Sequence, residues 1–221
     1  MEQTYQNLEI IVIDDGSTDN TKKEVDKFDD KRIKYIKLNN NNGATNARNI
    51  GIKNAKGSYI SFQDSDDIFY PNKLEKQLKN IINKKSDLDF CKIKVILSNS
   101  HIKFFPNKRQ EKSISSGNIF NVISKGNFIS TQAILVKTDF VKKFYFDPNM
   151  PRLQDYELIL RMIPKVKISY TKNILVEVYR QKDSISSSSG KYRKAIHILL
   201  TKQFNFNRKQ KLLFRKYLRS F

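Results

Sequence analysis

A run of six residues near the amino terminus, 8–13 (LEIIVI), constrains the fold of this chain more than any other segment. It is short, β-branched and apolar almost throughout, the make-up of a strand buried on both faces of a parallel sheet. The run stops abruptly at Asp14, Asp15 and Gly16. Ser17 or Thr18 can then cap a helix to about Phe28, with Val25 and Phe28 as its inward positions and Asp19 near the positive end of the helix dipole. A second strand is expected at 33–38, followed by a turn at 39–43, a helix at 44–55 closed by Gly57, and a third strand at 59–62. That strand ends in Gln63, Asp64, Ser65, Asp66 and Asp67, and Pro71 opens a helix to about Lys84. Strands that alternate with helices and end in acidic residues make an α/β sheet of the doubly wound kind, whose ligands sit beyond the carboxyl ends of the strands.

Past residue 84 the order loosens. The pattern predicts a strand at 88–97, a loop or hairpin through Phe104 and Phe105, a short helix at 118–124 and a strand at 133–136. Helices are expected at 138–144 and 155–163, and strands at 166–170 and 175–179. The Ser-rich stretch 184–190 reads as a flexible joint, and the remainder as a basic, aromatic-studded helical tail. A chain of 221 residues suits one sizeable α/β domain. Cys91 is the lone cysteine, so there is no disulfide framework and no CxxC pair, and a reducing cytoplasm fits best. No run approaches the ~20 apolar residues of a membrane span, and the start MEQTYQNLE lacks the pattern of a signal peptide.

The formal net charge is +20, and the last fifth of the chain carries much of it, with Asp183 as its one acidic residue. Such a tail suits nucleic acid, anionic lipid or a phosphorylated substrate, and a Lys-, Asn- and Ile-rich codon bias inflates the count without function. Nucleic-acid binding needs stacking aromatics on the basic face. Tyr192, Phe204, Phe206 and Tyr217 read instead as the apolar side of helices.

Three acidic clusters carry the chemistry. Asp14 and Asp15 end a buried strand, where paired carboxylates face a cation, a donor or solvent; capping of the next helix is the plain alternative. A phosphoacceptor receiver domain would also open with an acid pair, but it needs a phosphorylatable Asp one strand later, which 63–67 does not supply cleanly. In the second cluster, Asp64 and Asp66 form a D-x-D turn that offers hard oxygens to Mg²⁺ or Mn²⁺, ions that keep further positions for water and diphosphate. The third is Asp155 at a helix start, where capping is again the plain role.

The string EIIVIDDGSTDNT, followed by NNGATNARNIGIKNAKGSYISFQDSDDIFYPNKLEKQ, resembles the nucleotide-binding half of family 2 glycosyltransferases of the GT-A fold. STQAILVK, FDPNMPRLQDYELILRM and VEVYRQKDSIS are similar to the acceptor half. The resemblance implies a GT-A-like, mostly parallel sheet flanked by helices across 1–179, with a nucleotide-sugar half at about 1–97 and an acceptor half at 98–179. A joint at 180–190 and a basic helical tail at 191–221 complete the expected layout. By the same resemblance, Asp15 with Asp14 beside it would bind the donor's base, Arg48 would approach the nucleotide, Asp64 the ribose or diphosphate, and Asp66 the Mg²⁺ or Mn²⁺. Asp155 would be the catalytic base of an inverting transfer, with Gln154 where the family usually has Glu.

The implied partners are a nucleotide-sugar donor and a saccharide or lipid-linked acceptor in bacterial surface polysaccharide or glycolipid synthesis. The expected location is the cytoplasm, peripheral to the membrane, with the tail on an anionic surface. The family normally begins with a central strand that this sequence does not show, which leaves the strand at 8–13 with an open edge and makes an inactive, partner-binding relative the main alternative. There is no Trp, and so no Q-x-x-R-W motif of processive synthases.

Overall fold

The computed structural model of the protein describes residues 2–98, 101–117, 119–180, 189–204 and 206–218. Its first half runs β1 (Ile10–Asp14), α1 (Thr21–Asp26), β2 (Ile33–Lys37), α2 (Ala44–Asn54), β3 (Tyr59–Ser61), β4 (Ile68–Phe69) and α3 (Lys73–Lys84). The second half runs β5 (Leu88–Leu97), β6 (Ile102–Phe105), α4 (Lys108–Ser115), α5 (Ile119–Ile123), a 3₁₀ turn (Thr131–Ala133), β7 (Ile134–Lys137), α6 (Thr138–Phe144), α7 (Gln154–Met162), β8 (Ile168–Arg180), α8 (Ser189–Thr201) and α9 (Arg208–Leu218). The fold is α/β, as expected.

The expected mostly parallel sheet is mixed in its pairing. β1 and β2 form a parallel pair by themselves, and a six-stranded sheet follows in the order β3-β7-β5-β8-β4, with β6 beside β5. In that sheet only β5 and β8 run parallel. The short loop between β5 and β6 permits only an antiparallel return. Two strands expected at 166–170 and 175–179 are one, β8, because a register shift opposite Cys91, Lys92 and Ile93 absorbs the turn-like residues between them.

The burial expected for the first strand is also corrected. Of β1 only Asp14 is buried, because among the described residues β1 pairs with β2 alone and α1 buries no residue. α1 starts at Thr21, not at Ser17 or Thr18, since Asp19 accepts hydrogen bonds from the amide and hydroxyl of Thr21. Phe28, expected to point inward, is 57% exposed.

The core sits on β5 and β7, where Leu88, Phe90, Ile93, Val95, Ile134 and Val136 are buried. Leu158, Leu160 and Met162 of α7 cover it, and Ala195, Leu199, Phe204, Phe206, Phe214 and Leu218 join the same cluster. Phe204 stacks on Phe206, and Phe214 meets both rings edge-on. Lys202 pairs with Asp147 and with Glu157, whose buried carboxylate also holds Arg161. α8 and α9 are therefore built onto the core along their apolar side. The joint expected at 180–190 falls mostly outside the described residues.

Candidate active site

The turn after β1 is fixed by its carboxylates and one glycine. Asp14, 4% exposed, accepts from the amide of Ser17 at 2.7 Å and from the hydroxyl of Tyr35. The Tyr35 bond leads the causes that hold its carboxyl below the usual range, against the opposing pull of burial. Both its oxygens are thus engaged inside the protein. Asp15 reaches across to the loop before α2 and accepts from the amides of Asn42 (3.0 Å) and Gly43 (2.6 Å). Gly16 lets the two loops meet: its φ is +78°, and a Cβ there would lie 2.9 Å from the backbone of Asn40 and Asn41.

β3 ends one residue before Phe62, and the acidic turn follows. Three carboxylates within four residues repel one another, and the fold answers each differently. Asp64 accepts from Arg48 Nη2 at 2.8 Å and from Gln132 Nε2 at 2.6 Å. Asp67 is buried and accepts from Gln132 Nε2 at 2.5 Å and from the amide of Tyr179 at 3.3 Å. Burial first, then the charges of Asp66 and Asp64, raise its pKa to about 6. Asp66 is exposed, and neither of its oxygens accepts a hydrogen bond from a described residue.

That distribution bears on a cation. Among the described residues no group of three or more His, Cys, Asp or Glu side chains forms a ready cage. Mg²⁺ and Mn²⁺ do not require one, since such ions bind through one or two carboxylates plus phosphate and water. A free, exposed hard-oxygen ligand on Asp66, next to two carboxylates already engaged, fits that mode.

Arg48, on α2, joins the two halves of the chain. One end of its guanidinium binds Asp64, the other lies 3.4 Å from Gln154 Oε1, and its plane sits 5.7 Å from the Phe146 ring centroid. Gln154 is the first residue of α7, preceded by Leu153 in the left-handed region at φ +58°. Such strain in a non-glycine residue persists only where its surroundings hold it. Asp155 follows, and its Oδ1 accepts from the amide of Tyr156 at 2.7 Å and from Asn127 at 2.9 Å. Its Oδ2 has no partner among the described residues. Burial raises its pKa, against the pull of these hydrogen bonds and of Arg48.

Of the residues singled out in the sequence, Asp64, Arg48 and the start of α7 with Asp155 are thus brought together, and Asp66 lies on the same turn as Asp64. Asp15 fixes the neighbouring loop, and Asp14 acts within its own turn. Sequence reasoning passed over Gln132, Asn127 and Tyr35, and gave Asp67, a member of the second acidic cluster, no role of its own. Gln132 stands inside STQAILVK, a segment already singled out, and Asp67 adjoins the D-x-D turn; nothing local marked Asn127 or Tyr35.

The family model for Glycosyl transferase family 2 matches residues 1–144. A glycosyltransferase of Rickettsia typhi is 33% identical over 181 residues, 79% of this chain and 55% of that protein, so the chain spans about half the length of that relative. UDP-Glc:alpha-D-GlcNAc-diphosphoundecaprenol beta-1,3-glucosyltransferase WfgD of Escherichia coli is 31% identical over 194 residues, 87% of this chain and 73% of that protein. Among solved structures, S. aureus TarS in complex with UDP-GlcNAc superposes with a TM-score of 0.78 at 20% identity, covering 98% of this chain and 65% of that one. That likeness is one of fold, with the central sheet and its flanking helices in the GT-A arrangement. On the family match and these relatives together, the chain belongs to glycosyltransferase family 2.

Proposed function

We propose that this chain transfers a sugar from a nucleoside-diphosphate sugar to an acceptor hydroxyl with inversion at the anomeric carbon, in the synthesis of a surface polysaccharide or glycolipid. The observation that carries the reading is the bridge made by Arg48 between Asp64 and the start of α7. It sets the acidic turn against Asp155, a carboxylate whose Oδ2 has no partner among the described residues and whose pKa is raised.

In this reading Asp15 and the loop it fixes face the base, while Arg48 and Asp64 face the ribose and diphosphate. Asp66 would hold Mg²⁺ or Mn²⁺, which when bound supplies positive charge to the departing nucleoside diphosphate. Asp155 Oδ2 takes the acceptor's proton as the acceptor oxygen forms its bond to the anomeric carbon and the bond from that carbon to the diphosphate breaks. A raised pKa makes a carboxylate a better proton acceptor, and Asn127 and the Tyr156 amide occupy Oδ1, which leaves Oδ2 to take the proton. WfgD acts on a diphosphoundecaprenol-linked sugar and TarS is seen with UDP-GlcNAc, so a uridine-linked donor and a lipid-linked acceptor are the first to try.

A panel of nucleoside-diphosphate sugars, scored by thermal shift with and without Mn²⁺, tests the donor half, and product configuration by NMR tests inversion. The expected result is a Mn²⁺-dependent shift with one donor class and a product of opposite anomeric configuration. A shift with no member of the panel, or a product retaining the donor's configuration, overturns it.

A further inference from the structure

We propose that the outer face of α9 is a docking surface for an anionic lipid bilayer. The inner side of this helix, Phe214 and Leu218, is buried in the core. Its outer side is formed by Arg208, Lys211, Leu212 and Arg215, spaced i, i+3, i+4 and i+7 and all exposed. Leu212 is 72% exposed, the highest value among the exposed large hydrophobics of the described residues. A leucine standing in solvent between three cations is what a helix lying in the headgroup plane presents to acyl chains, while its cations reach anionic headgroups.

Charge on the neighbouring segments has the same sign. Residues 189–218 contain no Asp or Glu. Lys202, which points inward, is neutralised by Asp147 and Glu157. The outward cations, Arg208, Lys211 and Arg215 with Lys191, Arg193 and Lys194 of α8, have no ion-pair partner among the described residues.

Nucleic acid would want aromatic rings beside these cations for stacking. The rings of this region instead face the core: Phe204, Phe206 and Phe214 are each under 8% exposed. The surface adds to the glycosyltransferase reading but does not rest on it, since α9 supplies no group to the site of Asp64, Arg48 and Asp155. Nucleotide-sugar binding is therefore an independent control.

The test is co-sedimentation of the full chain with vesicles of phosphatidylglycerol and phosphatidylcholine, against phosphatidylcholine alone. Binding should need phosphatidylglycerol and fall with salt. Each cation at an anionic surface is worth about a fivefold change, so the Arg208→Gln, Lys211→Gln, Arg215→Gln chain should bind roughly 100-fold more weakly. Leu212→Ser should also weaken binding, at high and low salt alike. Unchanged donor binding, or an unchanged melting temperature, shows that the variants are folded. Equal binding to both vesicles, or a triple variant that binds as the parent does, overturns the proposal. So does tighter binding to a mixed-sequence single-stranded oligonucleotide than to the anionic vesicles.

Discussion

Replacing Lys73 with methionine should change the stability of this chain in a way that depends on pH, because its ammonium is fully buried with no direct counter-ion. Nζ donates to Ser61 Oγ at 2.8 Å and to Gln77 Oε1 at 2.7 Å and lies 4.1 Å from the Phe69 ring centroid. Gln77 in turn donates to Asp89 Oδ2 at 3.0 Å, so cation and carboxylate are joined through an amide. Burial lowers the lysine from 10.5 to about 8, with Cys91 and Asp89 opposing. Between those two values the unfolded chain still holds a proton that the folded chain has lost, so stability rises with pH through that window. Below about 8 both states are protonated and the cost of the buried charge is fully present. The cost is about 3 kcal/mol, of which roughly 2.5 is relieved between pH 7 and 10. Methionine removes the charge but leaves Gln77 Oε1 without its partner, a loss of about 1 to 3 kcal/mol. The variant should thus equal the parent or exceed it by up to about 2 kcal/mol near pH 7, and equal it or fall short by up to about 2 kcal/mol near pH 10, so that the difference moves by roughly 2.5 kcal/mol against the variant between the two. Urea denaturation of both chains at the two pH values measures this. A stability difference that does not move with pH refutes the buried ammonium.

Asp66→Asn should abolish Mn²⁺-dependent binding of a nucleoside diphosphate by calorimetry without lowering the metal-free melting temperature, since it removes a hard ligand and a repelling charge and opens no cavity. Asp155→Asn should lower kcat by ~10² to 10⁴ with little change in donor affinity; equal losses of both would make Asp155 a structural residue. Gln132→Ala removes a donor from each of two carboxylates and should cost about 2 to 4 kcal/mol of unfolding free energy, and an unchanged urea midpoint would count against Gln132 as a clamp on Asp64 and Asp67. Gly16→Ala forces a Cβ against the Asn40–Asn41 backbone at positive φ, so a loss of about 1 to 3 kcal/mol is expected together with weaker donor binding.

The legible parts of this fold were those written in local pattern. The strand at 88–97 and the helix at 138–144 coincide with β5 and α6, because each is a run bounded by clear signals. The edges were not legible, because burial of β1 depends on what lies beside it, and no local pattern reports that. α3 shows the limit from the other side. Its inward positions are Lys73, Gln77 and Ile81, so polarity misnames the core face: two of the three inward side chains are satisfied by Ser61, Asp89 and one another. The acidic motifs were visible as motifs, but their division of labour was not. Asp64, Asp66 and Asp67 look alike in sequence, and only the positions of Gln132, Arg48 and the Tyr179 amide distinguish them.

That division explains why the proposed reading assigns the cation to Asp66. Two of the three carboxylates on the turn already draw on protein donors, Asp64 from Arg48 and Gln132 and Asp67 from Gln132 and Tyr179. Burial, then the charges of its neighbours, raises the pKa of Asp67 to about 6, so it stays mostly ionised at neutral pH and the repulsion on the turn persists. The third carboxylate, Asp66, is exposed and unpartnered among the described residues. A metal there would relieve the repulsion that Gln132 relieves only in part, and it would do so where an incoming diphosphate brings more negative charge. The clamp and the metal then act on one electrostatic problem from opposite sides. Gln132 comes from the second half of the chain, immediately before β7, so the geometry of the acidic turn depends on the packing of both halves.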